Sequence, residues 1–232
     1  MKALIVYAHP EPTSFNGALK DRAVACLEGA GHEVQVTDLY ADNFDPRAGR
    51  HDFLEACDPE RFDYQVEQEH ATYKGGFAPD LEREFERLMW CDLLIVQYPI
   101  WWFSTPAILK GWVDRVLAYR RFYDLDHRYA TGVMKGRHGI LSVTTGGTIE
   151  RFSEGGVFGP IDQYLRPMQF GMIEYMGMEA HEPFVSYAAS RVSRDELTAQ
   201  LDNWEKRVME LAEIVEASRA AADREPATSD AG

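Results

Sequence analysis

The chain is poor in cysteine. Cys26, Cys57 and Cys91 are odd in number, widely separated and form no Cys-x-x-Cys pair, so neither a disulfide framework nor a zinc site is indicated. Cys26 and Cys91 read instead as small buried hydrophobes. Glycine-rich nucleotide fingerprints and the P-loop lysine are missing, which disfavours a kinase or ATPase. Without a Gly-x-Ser-x-Gly, a serine hydrolase is disfavoured too. The seven histidines include no His-x-x-x-His, so no metal site is expected, and His51, His70, His127, His138 and His181 read as scattered surface side chains. Basic residues are scarce, 24 against 38 acidic, for a formal charge of −14. That charge repels phosphate backbones and anionic headgroups. No apolar run is long enough for a signal peptide or a bilayer span. Nucleic acid and stable membrane insertion are therefore excluded as expectations, and a cytoplasmic location is expected.

What is present suits an α/β domain. The chain has 232 residues and is 45% hydrophobic, enough for one sizeable core. Apolar runs at Ala3 to Ala8, Val34 to Leu39, Leu93 to Gln97 and Ile140 to Val143, with a weaker one near Pro183 to Tyr187, predict five strands. The unbroken Leu4-Ile5-Val6 and Leu93-Leu94-Ile95-Val96 suit parallel strands covered on both faces. Between them, Phe15, Leu19, Ala23, Cys26 and Ala30 recur at helical spacing, with Gly29 and Gly31 ending the helix. Pro79 and Pro106 mark two more helix starts, with Thr105 as the cap of the second. Ser193 and Glu196 form a capping box ahead of Leu197, Leu201, Trp204, Val208 and Leu211. One domain over residues 1–217 is expected, with a disordered tail over 218–232. Residues 42–76 are aromatic, charged and poorly periodic, and read as an insertion packed over the second strand.

In an open parallel sheet, ligands bind beyond the carboxyl ends of the strands. The first such turn, His9 to Asn16, places hydroxyls and an amide at a helix N-terminus, where free N–H groups and the helix dipole favour a phosphate. A Ser14 that merely caps the helix fits equally well. The second, Tyr98 to Pro106, carries Trp101, Trp102 and Phe103 in no helical or alternating pattern. These rings suit a wall beside a flat aromatic ligand, or packing under the loop or into a subunit interface. The third, Thr144-Thr145-Gly146-Gly147-Thr148, offers backbone N–H groups and hydroxyls, as a reduced flavin requires, though a plain tight loop would read alike. The three together describe a flavin nucleotide site.

These residues carry a resemblance to a known family. His9 with Thr13-Ser14-Phe15-Asn16, Asp38-Leu39-Tyr40 with Asn43-Phe44, Gln97-Tyr98-Pro99, Trp102-Phe103, the run Pro106 to Trp112, and Thr144-Thr145-Gly146-Gly147 resemble the flavodoxin-like NAD(P)H:quinone oxidoreductases, the DT-diaphorase group, from about Lys2 to Arg207. The resemblance implies a doubly wound parallel five-stranded sheet with helices on both faces, and FAD in preference to FMN. It places His9, Thr13, Ser14, Phe15 and Asn16 at the diphosphate, and Pro99, Ile100, Trp101, Trp102, Phe103, Thr144, Thr145, Gly146, Gly147 and Phe152 around the flavin. NADH or NADPH and then a quinone would share one cavity at the interface of a homodimer, near Trp102, Tyr123, Phe158 and Tyr175. No side chain is assigned as catalytic acid or base. Phe152 and Phe158 stand where the family has a tyrosine and a histidine, so the polar relay to the reduced flavin is missing here. An electron-carrier or regulatory flavoprotein, and an azo or nitroaromatic reductase, are the alternatives.

Overall fold

The computed structural model describes residues 1–224. Strand β1 (Lys2–Tyr7) leads into helix α1 (Phe15–Gly29), then β2 (Glu33–Asp38), α2 (Tyr64–Lys74), α3 (Pro79–Trp90), β3 (Leu93–Pro99), α4 (Ala107–Val116), β4 (His138–Thr144), α5 (Asp162–Met168), the short β5 (Glu179–Ala180) and β6 (Phe184–Ser186), and α6 (Arg194–Ala222). The sheet is parallel throughout, in the order β2-β1-β3-β4-β5, with β6 also on β4.

The alternation of each strand divides the core. Leu4 and Val6 of the first strand, with Ala8 just after it, join Leu94, Val96, Tyr98, Leu141 and Val143 on the face covered by α3, α4 and α5. Ala3, Ile5, Leu93, Ile95 and Ile140 point the other way, against Leu19 and Leu27 of α1 and Trp204, Val208 and Leu211 of α6. Strands buried on both faces favour apolar residues at successive positions, which is why Leu4 to Val6 and Leu93 to Val96 read as continuous runs rather than alternations.

Two elements depart from expectation at the sheet's far edge. The single fifth strand is two pieces: Glu179 and Ala180 pair with His138 and Gly139, while Phe184 to Ser186 pair with Ser142 to Thr144. Pro183 separates them, and a proline has no N–H to give the ladder. The sheet therefore has six strands in five positions.

Elsewhere, Pro79 opens α3, but Pro106 is itself the N-cap of α4 and no side chain, Thr105 included, caps that helix. The Ser193–Glu196 box forms as read. Helix α6 runs on through Ala222, taking in five residues assigned to the tail; residues 225–232 lie outside the described residues. The 42–76 segment is tied to α4 and the loop after it. Asp52 pairs with Arg115, Gln68 accepts from the Tyr119 amide, Glu69 holds Arg120, and Gly111 approaches Pro46 so closely that an added Cβ would lie 2.2 Å from its carbonyl oxygen. No helix among the described residues is long and apolar enough to cross a membrane.

Candidate active site

The carboxyl ends of β1, β3 and β4 lie side by side, Tyr7 opposite Gln97 and Gln97 opposite Ser142. The chain order of the sheet reverses between β1 and β3, the point where an open parallel sheet leaves a crevice. A cleft of about 400 Å³ opens there, lined by His9, Ser14, Phe15 and Asn16, by Pro99, Ile100 and Trp101, and by Thr144, Thr145 and Gly146. All three turns singled out in the sequence thus meet at one site of small-molecule size.

The first turn is held by its own side chains. Ser14 is the N-cap of α1 and its Oγ accepts from the Gly17 amide at 3.1 Å. Gly17 has to be glycine, since an added Cβ would sit 2.0 Å from the Pro12 oxygen. The two readings of Ser14 are therefore compatible: it caps the helix and faces the cleft. His9 Nδ1 lies 3.0 Å from the Glu11 amide and 3.1 Å from the Glu11 carbonyl oxygen, which fixes the ring against the turn. Thr13 is turned elsewhere. Its amide and hydroxyl both donate to the Glu11 carboxylate, at 2.9 and 2.7 Å, and these bonds hold that carboxyl below its usual range. The amides of Phe15 and Asn16 open the helix and are left to a ligand or to water.

The second turn is a tight hairpin. Trp101 and Ser104 exchange backbone hydrogen bonds, both at 3.0 Å, so Trp102 and Phe103 become its two central residues, with φ of 51° and 61°. Two bulky residues in the left-handed region carry stored strain of the kind found at functional sites. Trp102 projects into solvent, 95% exposed. Phe103 instead packs against Phe152, Phe158 and Tyr164, with ring centroids 5.0 to 6.4 Å away.

In the third turn, Thr145 Oγ1 donates to the Gly147 carbonyl at 2.8 Å and the Thr145 amide to Ser186 at 3.0 Å. The amides of Gly146 and Gly147 have no acceptor among the described residues. A Cβ on Gly146 would meet open space, whereas one on Gly147 would strike Phe152 at 2.9 Å. Phe152 is thus a buried support behind the loop rather than part of the cleft wall. Beneath the cleft, a buried amide chain links the turns: Gln97 Nε2 donates to Asn16 Oδ1 and Asn16 Nδ2 to Thr144 Oγ1, each at 2.8 Å. Asn16 therefore acts as a brace between α1 and β4.

Tyr123 and Tyr175 are placed elsewhere in the subunit. Their rings meet edge to face at 5.5 Å in a separate hollow of about 360 Å³ with Gln65, Asp114 and Gly171. Sequence reading missed Ala189 and Ser190, which line the main cleft from the turn after β6. The Ala189 amide donates to the Thr145 carbonyl at 3.1 Å and fastens that turn to the glycine loop. A search of the turn after the faint fifth strand would have found them. Among the histidines, His138 is buried and lies against His181, so these two are not scattered surface groups.

Residues 1–208 match the family described as flavodoxin-like fold. The ribosyldihydronicotinamide dehydrogenase (quinone) of Pongo abelii is 43% identical over 208 residues, covering 89% of this chain and 90% of the relative. The NAD(P)H dehydrogenase (quinone) 1 of Rattus norvegicus is 40% identical over 208 residues, covering 89% and 76%. A solved protein of Klebsiella pneumoniae, described as a candidate quinone reductase, superposes with a TM-score of 0.86 at 39% identity, over 91% of this chain and 85% of that one. With its strand order, its cleft at the β1/β3 crevice and relatives of this identity, the chain belongs to the flavodoxin-like family of NAD(P)H:quinone oxidoreductases.

Proposed function

We propose that this protein is an FAD-dependent NAD(P)H:quinone oxidoreductase that works as a homodimer, each active site being completed by the partner subunit. The observation that carries the proposal is the convergence of three strand-end turns whose amides at Phe15, Asn16, Gly146 and Gly147 find no acceptor among the described residues. A built cleft with unsatisfied N–H donors and one open glycine suits a group that is flat, partly anionic and rich in acceptors.

The start of α1, with Ser14, Phe15, Asn16 and the His9 ring, would hold the diphosphate, and Thr13 would join it only by releasing Glu11. Trp101 to Phe103 and Thr144 to Gly147 would hold the isoalloxazine, the aromatic residues by stacking and the loop amides by donating to the ring edge that carries charge on reduction. A bound flavin would supply the redox chemistry, two-electron transfer from NADH or NADPH to a quinone with the accompanying hydrogens drawn from the nicotinamide hydride and solvent. The protein's part is to stack, orient and stabilise charge, and no side chain acts as nucleophile. Trp102, Phe158, Tyr123 and Tyr175 are assigned to the nicotinamide and quinone, the two tyrosines acting across the subunit interface. Their hollow lies apart from the main cleft of the same chain, which supports a contribution in trans.

One observation favours a second reading, an electron carrier with incidental turnover. The residues behind the glycine loop are the phenyl rings Phe152 and Phe158, which offer no hydrogen-bond donor. The test is the visible spectrum of the purified protein, then anaerobic addition of NADH or NADPH, then a simple benzoquinone. Bleaching followed by recovery supports the reductase, and analysis of the released flavin distinguishes FAD from FMN. A bound flavin that stays oxidised refutes the reductase in favour of the carrier, and a protein that takes up no flavin refutes both.

A further inference from the structure

At the opposite end of β4 from the cleft, three side chains with metal-ligand chemistry meet. His138 opens β4, and Glu179 stands beside it as its register partner in β5. His181 follows two residues later, its amide donating to the Gly139 carbonyl at 2.9 Å and so prolonging the ladder past the end of β5. Residues two apart on a strand share a face, and lateral neighbours in a parallel pair do as well. The sheet therefore points all three side chains the same way before any ligand arrives.

His138 Nδ1 lies 3.0 Å from His181 Nε2 and 3.7 Å from Glu179 Oε2, and one donor atom from each residue falls within 4.8 Å of the other two. Ligands held about 2.0–2.2 Å from one ion stand roughly 3.0 to 3.4 Å apart, so the two nitrogens are already at cis-ligand separation and Glu179 closes by a small rotation. His138 is 2% exposed, whereas the Glu179 side chain is 65% exposed. The set is thus anchored in the protein and open to solvent on one side. Burial lowers the pKa of both imidazoles. Asp92 nearby adds negative potential, though Arg219 and the Lys2 amide engage it; Arg207 of α6 opposes a cation, offset by its own contact with Glu210 at 3.8 Å.

We propose that His138, Glu179 and His181 form a binding site for one divalent transition-metal ion of the zinc, nickel or cobalt class, with water completing its coordination. Two imidazoles and a carboxylate select such ions over magnesium or calcium, which require oxygen ligands. The proton now shared between the two facing nitrogens moves to the other nitrogen of its own ring, so the imidazoles need release none. Bound metal staples the two-residue β5 to β4 at the broken edge of the sheet, about 20 Å along β4 from the cleft by strand rise.

The experiment uses tag-free protein, dialysed against chelator and titrated calorimetrically with ZnCl2, NiCl2, CoCl2 and MgCl2. One Zn2+ per chain is expected, with no measurable heat from Mg2+. Zn2+ should raise the melting temperature of the wild-type protein. His181→Asn should weaken Zn2+ binding at least 100-fold and abolish the thermal shift, and Glu179→Gln, changing an exposed side chain, should weaken it about tenfold. In the visible spectrum, bound Co2+ should give ligand-field bands that His181→Asn removes. Absence of a saturable Zn2+ site, or equal affinity in wild type and His181→Asn with both folded by circular dichroism, overturns the proposal.

Discussion

Replacing Trp102 with asparagine should stabilise the flavin-free protein while weakening its hold on flavin. Trp102 and Phe103 occupy the two central positions of a hairpin turn at positive φ, a geometry that favours Asn-Gly and penalises bulky residues. A side chain in the left-handed region costs about 1–2 kcal/mol. The Trp102 ring is 95% exposed and offsets almost none of that cost by burial. Asparagine tolerates the conformation, so about 1 kcal/mol should return to the folded state. With a urea m-value of about 2.5 kcal/mol/M, the midpoint should rise by about 0.4 M. Phe103 is left in place because its contacts with Phe152, Phe158 and Tyr164 would be lost with it. Urea unfolding of the apoprotein, followed by far-ultraviolet circular dichroism at two protein concentrations, separates the strain from subunit association. Flavin affinity by fluorescence quenching should fall about tenfold, the worth of one aromatic stack. An unchanged or lower urea midpoint would refute the strain argument, and unchanged flavin affinity would remove Trp102 from the site.

Other perturbations give separate outcomes. Asp52 is fully buried and accepts from Arg115 Nε and Nη2, Tyr64 and the Gly49 amide. Asp52→Asn strips the charge from this pair and should cost about 3–5 kcal/mol, seen as a large drop in the urea midpoint. Phe152→Tyr places a hydroxyl behind Gly147 and should speed anaerobic flavin reduction about tenfold in stopped flow, part of what one donor to a developing charge can supply; no change would leave that task to the loop amides. Among the thiols, Cys57 is exposed, burial raises the pKa of Cys26, and burial raises that of Cys91 to about 12. A disulfide reagent at pH 8 should therefore titrate one thiol per chain quickly and the others only on unfolding.

Legibility in the sequence followed the source of each element's stability. Strands β1 and β3 are built around unbroken apolar runs, β4 around the shorter Ile140 to Val143, and α6 from a capping box and a periodic stripe, so all four could be read directly. Helix α2 could not, because polar side chains hold it: Glu67 accepts from the Cys57 amide at 2.7 Å and Gln68 from the Tyr119 amide at 3.0 Å, both side chains buried. A search for apolar periodicity passes over such a helix, although Asp63 at its start and Gly75 at its end, left-handed in the structure, were visible as residue types. The candidate site was legible by turn but not by orientation. Nothing in Thr13-Ser14 says that the first hydroxyl serves Glu11 while the second faces the cleft. Partners on neighbouring strands, such as His138 and His181, escape any search by local spacing.

The break at Pro183 also bears on how the molecule behaves in a crowded solution. An edge strand with a long row of free N–H and C=O groups invites a second chain to pair with it. Here that edge offers two residues, a proline-bearing gap and three more. Neither piece is long enough to template an intermolecular ladder, and removing the interruption to regularise the sheet would give a more orderly edge and a chain more prone to aggregate.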